Sequence, residues 1–461
     1  MLKRKMYKKL LEWKQSESAK AFMLFGARQT GKTFLVREFA RNEYQDLVEV
    51  DFLRDENARE LIVGAHNAKE VIERLSLLRE KSITKNTLLF FDEIQKAPDV
   101  ITQVKYLVED GQFSLVASGS MLGTELKGFR SFPVGYVQIE DMYPLDFEEF
   151  AWALGVPESL LDTVYEAYKQ KTPLDEGLHN QLVQLFRDYL VFGGMPQVIQ
   201  TYLDSNYSLN EVRQQQLSIV RQYKEDISQY ATSASSPKIR EVYDRIPSEL
   251  DKENKRFIFK NLQKYASYGR YEDEVVWLID AAVALPTYCV SEPKRPLIRT
   301  KERSKFKLYD SDTGLLISQF PVASALDVLQ GSPSANYGAV YENIVAQELN
   351  TFVPCLYYYR NNRKGEVDFL FESPQGNVIP IEVKSGKDYK LHVALNNLLG
   401  TDDYEIPYAL VLSEANLSSA QRAGKTIWYL PLYMTFCLKR DCEQALDGIH
   451  VSPPVFGDAI A

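Results

Sequence analysis

Five apolar residues, Ala21–Phe25, run directly into GARQTGKT at 26–33, and then into FLVREFAR at 34–41, which reads as the start of an amphipathic helix. A strand, a glycine-rich loop and a helix in that order leave few folds open. They predict an N-terminal α/β domain on a parallel sheet, with an anion held where the loop enters the helix. Gly26 and Gly31 let the backbone bend round phosphate oxygens. The amides of Ala27, Arg28, Gln29 and Thr30 point at the anion together with the helix N-terminus. Lys32 is expected to pair with the β- and γ-phosphates and Thr33 to ligate Mg²⁺; Phe34 completes the expected nucleotide-contact set.

This loop pattern alone turns up by chance in roughly one or two of a hundred chains of this length, so a second motif matters. TLLFF at 87–91 is a buried strand pattern that ends in Asp92-Glu93. Asp92 suits the second Mg²⁺ contact, and Glu93 suits a base that positions the attacking water. A third strand, FSLVAS at 113–118, ends in Ser118-Gly119-Ser120. Ser118 could sense the γ-phosphate; a plain Ser/Gly turn is the alternative. No guanine-reading Asn-Lys-x-Asp motif follows, so ATP is expected rather than GTP.

The remainder of the 461 residues is too long for one domain. The formal net charge of −9 excludes a surface that grips nucleic acid throughout, so any such contact needs a local basic patch. Cys289, Cys355, Cys437 and Cys442 form no CxxC pair and the four His are scattered, which argues against structural zinc and for reduced thiols in a cytoplasmic protein. The basic start MLKRKMYKKLLEW lacks an apolar core, so no signal peptide is expected. The most apolar stretch, 275–290, is short and interrupted by Asp280 and Pro286, so no membrane span is expected.

Residues 151–230 carry apolar positions at helical spacing and read as a helical lid over the nucleotide or as a purely structural bundle. Gly193-Gly194 before Pro196 marks a hinge or turn. Three further helices are expected over 237–285, then a β-hairpin over 286–309, a winged-helix plan. The hairpin holds Lys294, Arg295, Arg299, Lys301, Arg303, Lys305 and Lys307 against Glu302 alone. Such cations could neutralise DNA or RNA phosphates, or could simply keep an edge hairpin soluble. Further on, a helix over 338–350 carries Glu342, a hairpin carries Asp368, and the strand VIPIEVKSG carries Glu382 and Lys384. Alternation puts Glu382 and Lys384 on one face. With Asp368, and with Glu342 as a third carboxylate, they could hold Mg²⁺ while the lysine orients a water.

GARQTGKT, LLFFDEIQKAPD, LVASGS, YPLDFEEF, YLVFGGMPQV and KLYDSDTGLL, in this order, resemble the AAA-related ATPases widespread in bacteria and archaea, close to the STAND and archaeal-ATPase branch, which carry a C-terminal domain of unknown function. The tail, with Asp368 and Glu382-x-Lys384, resembles the PD-(D/E)xK restriction-endonuclease-like superfamily. The resemblance implies ATP, Mg²⁺, a winged helix and a nuclease-like tail. One departure stands out. Such chains usually place Gly-Arg just before the tyrosine–proline–leucine segment, whereas Gly135-Tyr136 stands here. Arg130 or Arg28 could replace the missing arginine.

The expected architecture is therefore an α/β chain: a P-loop ATPase core at 1–150, a helical lid at 151–230, a winged-helix-like region at 231–330, a restriction-endonuclease-like domain at 331–440 and a tail at 441–461. Two functions fit. One is an ATP-driven, DNA-acting enzyme. The other is a nucleotide-dependent switch that binds protein partners or self-assembles as a homo-oligomer, with its nuclease-like domain as a scaffold.

Overall fold

The computed structural model describes residues 2–16, 20–111, 113–120, 133, 135–263, 265–332, 337–386 and 388–447. The chain groups into two compact units. The first comprises Met1–Glu158, Gln184–Pro286 and Ser304–Gln347; the second comprises Ser159–Val183, Thr287–Arg303 and Glu348–Ala461.

The first unit is built on five strands: β1 (Ala21–Phe25), β2 (Asp46–Asp51), β3 (Thr87–Asp92), β4 (Ser114–Gly119) and β5 (Val137–Asp141). They run parallel in the order β2-β3-β4-β1-β5. Every residue of β1 and β3 is buried, as expected for strands covered on both faces. Alternation sorts their side chains. Ala21, Met23, Phe25, Leu89 and Phe91 pack with Ile62, Leu75 and Ile101, which come from helices Glu56–Val63, Ala68–Arg79 and Pro98–Asp110. Phe22, Leu24, Leu88 and Phe90 face the other way, onto Leu35, Val36 and Phe39 of helix Lys32–Glu43. The basic N-terminus joins this second layer. Met6, Leu10 and Trp13, spaced at four and three residues, bury one face of helix Lys5–Gln15 against it. Because β4 lies between β1 and β3, the tip of β4 sits between the glycine-rich loop and Asp92.

The expected three helices over 237–285 are two, Ser236–Leu250 and Tyr268–Asp280, with a single 3₁₀ turn at Phe259–Asn261 between them. The intervening segment is drawn into sheet-like pairing. Arg256 bridges Lys307, the Phe257 amide donates to Phe306 O at 2.9 Å, and the Phe257 and Phe306 rings stack 6.2 Å apart.

A mixed sheet holds the remaining strands, β6 (Ala284–Val290), β7 (Lys301–Asp310), β8 (Leu356–Asn361), β9 (Gly365–Glu372), β10 (Val378–Val383), β11 (Tyr408–Ser413), β12 (Ser418–Arg422) and β13 (Lys425–Pro431). Its order is β12-β13-β11-β10-β9-β8-β6-β7. Within the second unit, β8, β9 and β10 form an antiparallel meander, and β11 then pairs parallel to β10 after helix Val393–Leu399. β6 pairs parallel with β8, so the expected basic hairpin is part of a larger sheet rather than a free-standing wing. Among the described residues no helix is long and apolar enough to cross a membrane.

Candidate functional site

The glycine-rich loop follows β1 and bends at two positive-φ glycines. Gly26 (φ +147°) passes so close to β5's exit that a Cβ would lie 2.1 Å from Met142 O; Gly31 (φ +93°) is the left-handed residue from which helix Lys32–Glu43 starts. No side chain caps that helix, so its first amides are left for an anion. Thr30, fully buried, ties the loop to itself by donating to Ala27 O at 2.9 Å. Lys32 donates to Gly26 O at 2.9 Å and Ala27 O at 2.7 Å. Burial pulls its ammonium down to about 8; Glu93 and Asp92 push it back up, and Arg28 adds to the fall.

Asp92 at the end of β3 is buried and held from two sides. Thr33 Oγ1 donates to its Oδ2 at 2.9 Å, and Ser118 Oγ donates to its Oδ1. Burial raises the Asp92 carboxyl above its ordinary value, and the two hydroxyls counter that rise. Ser118, a candidate γ-phosphate sensor, is bonded to Asp92 here. Glu93 has a left-handed backbone (φ +54°). Its carboxylate accepts from Gln95 Nε2 at 2.5 Å, and the same nitrogen reaches Ser120 Oγ at 3.0 Å.

Arg28, Gln29, Gly31, Lys32, Thr33, Phe34 and Glu93 line one cavity of 480 Å³ together with Pro196, expected only as a turn residue, and with residues that sequence reasoning did not single out: Leu2, Arg4, Arg37, Met142, Gln197 and Gln200. Arg4 is the most deeply built of these. Its buried guanidinium donates to Thr30 O (2.8 Å), Tyr143 O (2.7 Å) and Glu149 (3.1 Å). Lys5 pairs with Asp146 and Glu148. The acidic run of YPLDFEEF therefore anchors the N-terminal segment beneath the loop. No local pattern reveals this, since partners 145 residues apart carry it.

GGMPQ and YDSD converge close by. A Cβ on Gly193 would lie 2.2 Å from Asp312 Oδ1, and one on Gly194 would lie 2.1 Å from Leu145 O. The Gly194 amide donates to Asp312 at 2.6 Å, and Leu145 N donates to Gly194 O at 2.7 Å. Close backbone approach, rather than hinge freedom alone, requires this glycine pair. Burial pushes the Asp312 carboxyl up to about 6 against the pull of three backbone amides, those of Gly194, Leu315 and Gly314.

Tyr136, at the position where an arginine was expected, donates to Glu109 at 2.8 Å with Lys105 over its ring. Arg130 lies outside the described residues.

Glu342 and Lys307, expected in two different sites, lie against each other. Burial would raise the pKa of Glu342, but Lys307 at 3.2 Å and Lys255 pull it below the usual range, and the Tyr309 hydroxyl donates to it at 2.8 Å. Lys307 is 1% exposed and bound to Glu342. Of the other six cations, Lys294 lies 3.6 Å from Glu292, Arg295 donates to Gly376 O and Lys301 stands 3.5 Å over the Tyr288 ring. Arg299 and Arg303 are exposed and Lys305 half-buried.

In the second unit Asp368 lies on β9 and Glu382 on β10, with Lys384 just past its end. The Val383 amide donates to Asp368 at 2.9 Å, and Lys384 Nζ donates to Glu382 at 2.9 Å. Among the described residues, no group of three or more His, Cys, Asp or Glu could hold a metal ion.

Comparison with known proteins fits the loop. Residues 18–151 match the family model of an AAA domain. Residues 183–325 and 337–433 match two domains of unknown function, DUF8612 and DUF4143. No curated protein matches. Among solved structures, a Walker-type ATPase of Pyrococcus abyssi is similar at 13% identity, with 69% of this chain and 95% of that one covered and a TM-score of 0.41. The ORC1 protein of Aeropyrum pernix in complex with DNA is 12% identical over 71% and 91% of the two chains (TM-score 0.28). Cdc6p from Pyrobaculum aerophilum is 11% identical over 70% and 92% (TM-score 0.26). The AAA-domain match over 18–151 takes in the glycine-rich loop, Asp92-Glu93 and the tip of β4.

Proposed function

We propose that this protein binds ATP with Mg²⁺ at Gly26–Phe34 and hydrolyses it. One observation carries the reading. Lys32, Thr33 and Glu93 line a single cavity, with Asp92 bonded to Thr33 at 2.9 Å behind it. A hydroxyl and a carboxylate are hard oxygen donors, which fits a Mg²⁺ ion that takes its other ligands from water and substrate phosphates. Thr33 and Asp92 would hold that ion, which would supply neutralising positive charge to the phosphates. Lys32 adds a second positive charge, and the loop amides orient the γ-phosphate. Glu93 accepts a proton as the water oxygen bonds to the γ-phosphorus. The bond from that phosphorus to the bridging oxygen breaks, and its electron pair leaves with ADP. Leu2, Phe34, Met142 and Pro196, with the amides of Gln197 and Gln200, give the same cavity an apolar, hydrogen-bonding recess suited to a purine. Phosphate release by the wild type and by Lys32→Ala tests the reading: turnover should vanish in the variant. Unchanged turnover would show that another site hydrolyses the nucleotide.

A second reading extends the first: ATP turnover serves a DNA-acting, nuclease-like module. It is favoured by the β9–β10 register, which pairs Ile381 with Phe369 and, continued by one step, sets Asp368 opposite Glu382. Two carboxylates and Lys384 could hold one Mg²⁺ and orient a water toward a phosphodiester. The test is plasmid and single-stranded DNA with Mg²⁺, with and without ATP, at low salt, against Asp368→Asn. Cutting that the variant loses supports this reading. Absence of both binding and cutting leaves the ATP-dependent switch with protein partners as the function.

A further inference from the structure

Three arginines line the nucleotide cavity, and two are already fixed structurally. Arg4 holds Thr30 O, Tyr143 O and Glu149 beneath the loop. Arg37 makes a two-point contact with Glu49 at 2.9 and 2.6 Å. The third, Arg28, is part of the loop itself, and its guanidinium Nη1 lies 2.5 Å from Asp226 Oδ1. Asp226 comes from helix Leu209–Tyr230, outside the nucleotide-binding sheet. That helix docks on the loop with one face: Tyr223 donates to Arg28 O at 3.0 Å, and Gln222 accepts from the Gln29 amide nitrogen. The Arg28–Asp226 pair is only partly exposed, with side chains 26% and 14% accessible, so its electrostatics are weakly screened. Asp226 also feels the charge of Glu93, which puts it within electrostatic range of the phosphate end of the cavity.

We propose that Arg28 is the catalytic arginine of this site, stabilising the charge that develops on the γ-phosphate, and that Asp226 is a brake that competes with the phosphate for it. The role rests on the hydrolysis proposed above and extends it. Arg28 stands in the loop on the same cavity as Lys32 and close enough to act on its charge. A guanidinium can bind carboxylate or phosphoryl oxygens through the same fork, but its N–H groups facing Asp226 cannot serve both at once. A shift of the helix that draws Asp226 away would hand Arg28 to the phosphate. The reaction rate would then follow whatever moves that helix.

The test is steady-state phosphate release and MgATP binding by the full chain for Arg28→Ala, Arg28→Lys, Asp226→Asn and the double variant Arg28→Ala/Asp226→Asn, with thermal melts to confirm folding. Arg28→Ala should lower kcat about 100- to 1,000-fold while KM changes little, and added guanidinium ion should restore part of the rate. Arg28→Lys, which keeps the charge without the fork, should recover little. Asp226→Asn, nearly isosteric, should raise kcat about fivefold, and the gain should disappear in the double variant. An Asp226→Asn enzyme no faster than wild type, or a gain that persists without Arg28, overturns the brake. An Arg28→Ala enzyme with wild-type kcat overturns the catalytic role while hydrolysis stands. If the wild type is no faster than Lys32→Ala, the hydrolysis reading itself falls, and this inference with it.

Discussion

Two sets of charged residues in this molecule look equally chemical on paper: Lys32, Thr33, Asp92 and Glu93 in the first unit, and Asp368, Glu382 and Lys384 in the second. The structure treats them differently. Lys32, Thr33 and Glu93 of the first set line one cavity, with Asp92 bonded to Thr33 behind it. Asp92 is gripped by Ser118 and Thr33, Glu93 by Gln95, and the loop behind Lys32 by Arg4. In the second set the Val383 amide donates to Asp368 and Lys384 donates to Glu382, while the fourth expected member, Glu342, belongs to the first unit and is held there by Lys255 and Lys307. What separates the two sets is the shared space: Lys32, Thr33 and Glu93 face one cavity, and a site needs room for its ligand as well as held side chains.

The largest effects should break the symmetry between the two sets. Glu93→Gln should cut ATP turnover by about 10²–10⁴-fold and leave MgATP binding in place, read by phosphate release and by fluorescent-nucleotide titration. Glu382→Gln should leave ATP turnover at wild type. A comparable loss in both would mean that hydrolysis does not belong to the first set alone. Next in size is Lys307→Met, which leaves the buried Glu342 with one lysine fewer and should cost about 3 kcal/mol of stability in urea unfolding. A cost near zero would return Lys307 to the surface role that its sequence suggested.

The parts legible in the sequence were those whose cause is local. Ala21–Phe25 and Thr87–Phe91 read as buried strands because apolar runs covered on both faces have no alternation to interpret. Gly26 and Gly31 read as a phosphate loop because only glycine takes those backbone angles without strain. Phe257 shows the opposite case. A helix was expected there, but pairing with Phe306, 49 positions on, took its backbone. Arg4 and Asp226 were invisible for the same reason. Each acts across a distance that no periodicity spans, and Asp226 sits on a long polar helix directly after Glu225, with nothing local to tell the two apart. Ser118 lay between these cases: its place at a strand tip was readable, but its partner Asp92 depended on β4 lying between β1 and β3.

A smaller effect sharpens the phosphate-loop side of the comparison. Burial holds Lys32 near 8, so above that pH the free protein carries it increasingly neutral. Bound phosphates favour the ammonium and raise its pKa. MgATP affinity should therefore be constant below about pH 7.5 and fall as pH rises through 8 to 9, by at most about tenfold per unit. Calorimetry at pH 8.5 in buffers of different ionisation enthalpy should show uptake of up to one proton, and much less at pH 7. Uptake that does not change between the two pH values would mean that Lys32 is charged throughout.

The smallest effects fall on the basic strand pair, where the two readings of the second half part company. Arg299 and Arg303 are exposed, whereas Lys307 is buried. If the exposed arginines meet phosphates, Arg299→Ala and Arg303→Ala should each weaken DNA binding evenly across sequences and lower the salt dependence by about one unit of slope. Fluorescence anisotropy across a salt series measures this. A destabilised Lys307→Met chain, assayed where it remains folded, should keep the wild-type slope. Equal slopes in all three variants would assign the cations to keeping an edge strand from pairing with other chains. That outcome would shift weight from a DNA-acting enzyme to a nucleotide-dependent switch, because the second half would then offer DNA no charge beyond what solubility requires.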